Sequence, residues 1–313
     1  MKFKLFIITI VTIVFFNCKN DKKEQIKLQD TETEETNPYI EIVTKSMEFI
    51  VADTIPSGWN TFKYINESTE PHFVLFDDYP DGKTLDTVKA AVMPPFDKGM
   101  AYIMEGDMDN AIAAFGALPK WFPEVKFVGG TGLISPDRTA ITTVKLEPGL
   151  HIMECYVKMA DGMFHASMGM AKEIYVLDED SGNQPPKADT NISISSTEGI
   201  TYTEPITSGE HIFSVYFKDQ TVHEHFLGHD VNLVKLEDNA NIEELEAWMS
   251  WMNPTGLITP MPEGVTFLGG VNNGLEGSTQ YFYANLEPGN YAFIAEVPNA
   301  SSKNMLKTFT VTD

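Results

Sequence analysis

A collinear internal repeat constrains this chain more than any other feature. Phe127-Val128-Gly129-Gly130 stands sixteen residues before Leu146-Glu147-Pro148-Gly149, and Phe267-Leu268-Gly269-Gly270 stands sixteen before Leu286-Glu287-Pro288-Gly289. The offset is 140 throughout, without a gap. Further matches run in the same order. Ser57-Gly58 with Phe62 corresponds to Ser208-Gly209 with Phe213, and Pro71-His72 with Val74 to Gly228-His229 with Val231. Met170-Ala171-Lys172 corresponds to Met305-Leu306-Lys307. A collinear repeat of this length implies one fold made twice, and a chain of 313 residues has room for two domains.

Thr61 to Ile65, Phe73 to Phe76, Ala140 to Leu146, His151 to Val157 and Glu173 to Leu177 are short runs rich in β-branched and aromatic residues. Asn66-Glu67-Ser68, Glu147-Pro148-Gly149 and Asp161-Gly162 punctuate them with turn chemistry. This is the pattern of an antiparallel sandwich. Each half also carries a helical insert. Asp107 or Asp109 caps Ala111 to Leu118 in the first, and Asn241 leads Ile242 to Trp251 in the second. The fold class expected is all-β, with two tandem Greek-key β-sandwiches, each bearing a helix.

The ends and joints read separately. Residues 1–17 read as a signal peptide, with an uncleaved N-terminal anchor as the alternative: Met1 to Lys4 supply positive charge and Leu5 to Phe16 an apolar run too short to span a bilayer comfortably. Cys18 follows, before a polar tract, and this arrangement resembles a bacterial lipoprotein signal. The resemblance implies acylation of Cys18, attachment to a membrane through the lipid, and a cell-envelope location. Residues 18–38 read as a tether, 39–177 as the first domain, 178–189 as a Pro-containing linker and 190–313 as the second domain. With 22 Lys and Arg against 45 Asp and Glu, the net charge of −23 repels phosphate backbones, so no nucleic-acid partner is expected. Two cysteines cannot build a disulfide framework. No nucleophile elbow, zincin helix or Walker loop is present, and no enzymatic activity is expected.

In the first half Phe62 to Asn66, then Pro71-His72, a strand and Asp77-Asp78 are followed near its end by Cys155, His165 and Gly169-Met170. This order resembles the cupredoxins, the blue-copper family, over most of residues 40–177 and more weakly over 190–313. The resemblance implies a copper ion held by His72, Cys155 and His165, with Met170 as weak axial thioether and Met168 as its rival. Two imidazoles, a thiolate and a weak thioether are the donor set of such sites. Electron transfer or copper handling, with a redox or copper-donor protein as partner, would follow. Nine residues separate Cys155 from His165, where family members usually have two to four. Asp161-Gly162 offers a hairpin turn that would close this longer loop.

The second half aligns Ala295 with Cys155, so it lacks the thiolate. Its His223, His225 and His229 form a secondary metal candidate, with a solvated polar edge as the plainer reading. The alternative for the whole chain is a metal-free protein-interaction or structural module of the cell envelope.

Overall fold

The alternation of buried and exposed residues along each apolar run produces strands with one face in a core. Residues 38–313 are described by a computed structural model. In the first half, β1 (Ile40–Thr44), β2 (Thr54–Asn66) and β3 (Leu75–Asp78) lead into three helices, α1 (Leu85–Ala91), α2 (Met93–Met104) and α3 (Met108–Phe115). Then come β4 (Lys126–Gly129), β5 (Arg138–Leu146), β6 (Gly149–Glu154), the single turn α4 (His165–Met168) and β7 (Ala171–Asp180). The second half holds β8 (Thr190–Ser195), β9 (Gly199–Tyr202), β10 (Gly209–Phe217), β11 (Val231–Leu236), α5 (Ile242–Trp248), β12 (Val265–Val271), β13 (Thr279–Leu286), β14 (Gly289–Ile294) and β15 (Leu306–Val311).

The hydrogen-bonded order β4-β3-β6-β7-β2-β5-β13-β10-β8-β9, with β1 on β2, makes one sheet of eleven strands; β12-β11-β14-β15 makes another of four. β2 takes part in both layers of the first half. Its residues Thr54 to Ser57 pair with β7, with a register shift between Pro56 and Ser57, and Gly58 to Asn66 pair with β5. In the second half the corresponding strand β10 stays on the β13 side, so the four-stranded layer stands apart. Each half is thus a sandwich with the same order of central strands. The halves also join: Thr143, Thr142 and Ile141 of β5 pair with Tyr281, Phe282 and Tyr283 of β13.

The repeated Gly-Gly pairs have a steric cause. Gly130 and Gly270 adopt φ of 150° and 133°. A Cβ on Gly130 would lie 1.9 Å from the Val74 carbonyl oxygen, and one on Gly270 would lie 2.1 Å from that of Val231. Val74 and Val231 are themselves repeat partners, so the same close approach of two backbones recurs in each half.

Three boundaries differ from the sequence reading. β7 runs on to Asp180, so the strand-free connection covers only residues 181–189. The first helical insert has three helices where one was expected. Asp107 caps α3, accepting a hydrogen bond from the Asn110 amide, but the helix ends at Phe115. α1 is capped by Thr84, and α2 carries its prolines in the first turn, where no amide hydrogen is needed. In the second half Asn241 caps α5 as expected, though the helix stops at Trp248. The signal peptide, the tether and Cys18 lie outside the described residues.

Candidate metal centre

Three elements bring His72, Cys155 and His165 together. His72 sits between β2 and β3, tied to the strand-like segment 131–135 by two backbone hydrogen bonds with Ile134, of 3.1 and 2.8 Å. Cys155 directly follows β6, and its amide donates to the Met170 carbonyl at 3.1 Å. His165 opens α4, and the Met170 amide donates to its carbonyl at 2.9 Å. The backbone of Met170 therefore joins the other two residues, and its side chain is fully buried in the same core. Met168, the rival thioether, is 44% exposed.

The long Cys155–His165 loop closes on itself. Lys158 bridges Phe164, the Met159 amide donates to Met163 O at 2.8 Å, and Gly162 takes the turn with φ of 88°. The His165 amide then donates to Val157 O at 2.8 Å. Residues 158–164 leave as a hairpin, and His165 re-enters beside Val157, two positions beyond Cys155. The extra length is excluded from the site.

His72, Cys155 and His165 are each 0% exposed. The two imidazole Nδ1 atoms lie 3.2 Å apart, and Cys155 Sγ lies 3.7 Å from His72 Nδ1. Among the described residues this is the one group of three or more His, Cys, Asp or Glu side chains with ligand atoms all within 4.8 Å of one another.

Hydrogen bonding settles the tautomer of His72. Asn66 Nδ2 faces the carbonyl oxygens of Glu70, Ile134 and Ser135, at 2.8, 3.4 and 3.3 Å, which fixes the amide's orientation. Asn66 Oδ1 and the Glu70 carbonyl, 2.7 and 3.1 Å from Ser68 Oγ, can only accept. The Ser68 proton is committed to one of them, so His72 Nε2 donates to Ser68 Oγ across 2.9 Å. His72 Nδ1 is then a lone pair turned toward Cys155 and His165. Two ring nitrogens this close must share a proton or a cation.

Burial, with the neighbouring His165 second, lowers the His72 pKa to about 3, and burial lowers that of His165 to about 4. Both rings are neutral at physiological pH, the form that binds metals. Burial pushes the Cys155 thiol up to about 12. A dry cluster of two neutral imidazoles and one thiol, without a carboxylate, fits copper and lacks the fourth strong ligand of a structural zinc site.

The second half shows what removal of the thiol leaves. Ala295 is fully buried, and its amide donates to Met305 O at 3.0 Å, reproducing the Cys155–Met170 bond. His229 occupies the His72 position, but its Nδ1 faces the Asp219 carbonyl at 3.1 Å and its Nε2 meets His223 Nε2 at 2.9 Å. A hydrogen bond between the two rings accounts for this pair. His225 does not join them as a third donor. Its backbone adopts φ of 66°, and its ring rests edgewise near Trp251, with centroids 6.3 Å apart.

Buried carboxyls occur in both halves: Asp77 in β3, and Asp230 and Glu296 next to His229 and Ala295. Burial raises Asp230 to about 7, and raises Asp77 and Glu296 well above the carboxylate range. The folded protein therefore holds protons that the unfolded chain has released, and these groups cost stability as pH rises. His72 and His165 act oppositely, costing stability only as pH falls below about 6.5. Above that point the carboxyls dominate. The metal-free protein is expected to lose about 1 kcal/mol or more per such carboxyl between roughly pH 6.5 and 8. Thermal unfolding across that range checks this; a melting temperature that rises would contradict it.

No family model and no curated protein matches the chain. Among solved structures, it is similar to auracyanin B at 18% identity, over 42% of this chain and 96% of that one, with a TM-score of 0.29. It is similar to auracyanin A, a blue copper protein from Chloroflexus aurantiacus, at 15% identity over 44% and 97%, TM-score 0.27. Copper nitrite reductase from Nitrosomonas europaea is similar at 13% identity over 88% and 94%, TM-score 0.22. The fold is cupredoxin-like, as the paired sandwiches and the order of the site residues along them indicate.

Proposed function

We propose that the chain is a copper-binding lipoprotein of the cell envelope whose first half serves in electron transfer or copper handling. The observation that carries this reading is the convergence of His72 Nδ1, His165 Nδ1 and Cys155 Sγ in a dry, hydrogen-bonded frame. His72, Cys155 and His165 would hold the ion, with Met170 as the weak fourth donor. When bound, copper supplies a one-electron couple between its cupric and cuprous states. The chain's own part is to hold the donors still. Ser68 and Asn66 orient His72, the Met170 backbone spaces Cys155 from His165, and the surrounding core excludes water.

The second half reads as a copy that lost its thiol and now supports the first. Leu268 bridges Ile134, which in turn pairs with His72. The lipid anchor at Cys18 is proposed from the sequence alone; among the described residues no helix is long and apolar enough to cross a membrane. A redox or copper-donor protein is the proposed partner.

Electron transfer is tested on the copper-loaded full chain by voltammetry in the presence of a cuprous chelator. A reversible one-electron couple with copper retained is expected for an electron carrier. Rapid loss of the reduced ion to the chelator would replace electron transfer by copper delivery. Ser68→Ala removes the acceptor that holds His72 in its tautomer. It is expected to weaken copper binding by roughly 10–100-fold, as loss of a hydrogen bond behind a ligand commonly does. An unchanged affinity in a competition titration would remove Ser68 from the account.

A further inference from the structure

Beside the candidate centre lies a cavity of about 90 Å³ that the copper reading does not use. Glu154 and Tyr156, the neighbours of Cys155, and Phe164 and Ala166, the neighbours of His165, all line it. Cys155 and His165 do not, so the cavity occupies the far side of the chain segments that carry them. Its walls are aromatic. Phe96 meets Phe164, Phe226 and Trp251 edge to face, with ring centroids 6.4, 5.8 and 5.9 Å apart. Phe226 is 40% exposed and marks the side open to solvent.

Two buried polar atoms on residues of this wall have no hydrogen-bond partner, Asn273 Oδ1 and His225 Nδ1. Asn273 lines the cavity and is 4% exposed, and its Oδ1 has no hydrogen-bond partner in the protein. Buried amide oxygens are almost always paired, because an unpaired one costs about as much as a lost hydrogen bond. The backbone amide of Asn273 is satisfied by Asn272 Oδ1 at 2.8 Å, so the deficit belongs to the side chain alone.

Walls of edge-to-face rings select a flat apolar body. The unpaired amide oxygen selects a hydroxyl or N–H donor, the unpaired His225 Nδ1 can meet the same polar group, and a lining that holds the Glu154 carboxyl and no Lys or Arg disfavours an anion. A sealed cavity of roughly 150 Å³ holds benzene; this smaller one, open on one side, takes a single ring with its edge toward the mouth. We propose that the cavity binds a small uncharged phenol, its ring among Phe96, Phe164, Phe226 and Trp251 and its hydroxyl donating to Asn273 Oδ1. The site needs no copper, so its test stands apart from that of the metal centre.

The metal-free full chain is titrated with phenol and with toluene by ligand-observed NMR. Phenol is expected to bind saturably, with a Kd on the order of 1 mM or tighter, and toluene about five-fold more weakly. Asn273→Leu is expected to weaken phenol by a similar factor and leave toluene unchanged. Val92→Phe, which fills the cavity from its helical wall, is expected to abolish both. Two results would overturn the proposal: no saturable phenol binding, or phenol binding unaffected in Asn273→Leu. Toluene binding as tightly as phenol would overturn the role of Asn273.

Discussion

Cys155→Ser is expected to yield a folded protein that shows no thiolate-to-copper charge-transfer absorption. Its copper affinity should fall further than the roughly 10–100-fold typical of changes behind a ligand. The thiol sits 3.7 Å from His72 Nδ1 with no exposure to water. It is the one soft, strong donor among the three, and the charge-transfer transition requires a sulfur ligand. With its pKa near 12 in the metal-free protein, Cys155 must release a proton when a metal binds. Copper affinity of the parent is therefore expected to rise about tenfold per pH unit through the neutral range, and that dependence should disappear in the variant. Far-UV circular dichroism separates loss of the site from loss of the fold. An unchanged absorption spectrum in Cys155→Ser would remove the thiolate from the site.

Lys158→Met is expected to destabilise the protein by roughly 2–4 kcal/mol. Lys158 is completely buried, and burial lowers its pKa to about 8, which leaves it an ammonium at neutral pH. Its Nζ donates to Trp251 O at 2.6 Å and Asn253 O at 2.7 Å, and lies 3.6 Å from Met100 Sδ. Its amide donates to Leu257 O at 2.7 Å. One side chain thus pins the hairpin of residues 158–164 to the second half, next to His165. Methionine keeps the volume and the apolar stem but leaves two buried carbonyls unpaired. Urea unfolding of the metal-free protein measures the loss; a change below about 0.5 kcal/mol, the range of surface substitutions, would contradict this account of the hairpin.

The site was legible because its donors differ in kind. Histidine and cysteine in a fixed order along strand-like segments mark side chains that can meet whatever the intervening loop does, and His72, Cys155 and His165 do meet; Met170 as a fourth donor is part of the proposal. Asp161-Gly162 even marked how that loop would close. The Gly-Gly repeat was legible for a related reason, since a close backbone approach admits no Cβ in either half. Lys158 was not legible. A lysine in sequence reads as solvated, and only the carbonyls of Trp251 and Asn253, about 95 residues away, make its burial tolerable. Ser68 and Asn66 read as turn residues; Ser68 lies in the bend, but Asn66 closes β2, and their hold on His72 depends on the strand partner at Ile134. The pairing of β5 with β13 was equally hidden, because an edge strand carries the same alternation as one joined to a second domain. Helices α1 and α2 were not read from the sequence, where the helical insert was confined to Ala111 to Leu118.

The most direct test is titration of the full chain with copper, followed by visible absorption, EPR and metal analysis. One copper per chain, with an intense sulfur-to-copper band and narrow copper hyperfine splitting, is the result expected for an ion held by His72, Cys155 and His165. Failure to bind copper in either oxidation state would contradict the account and leave a metal-free interaction module in its place.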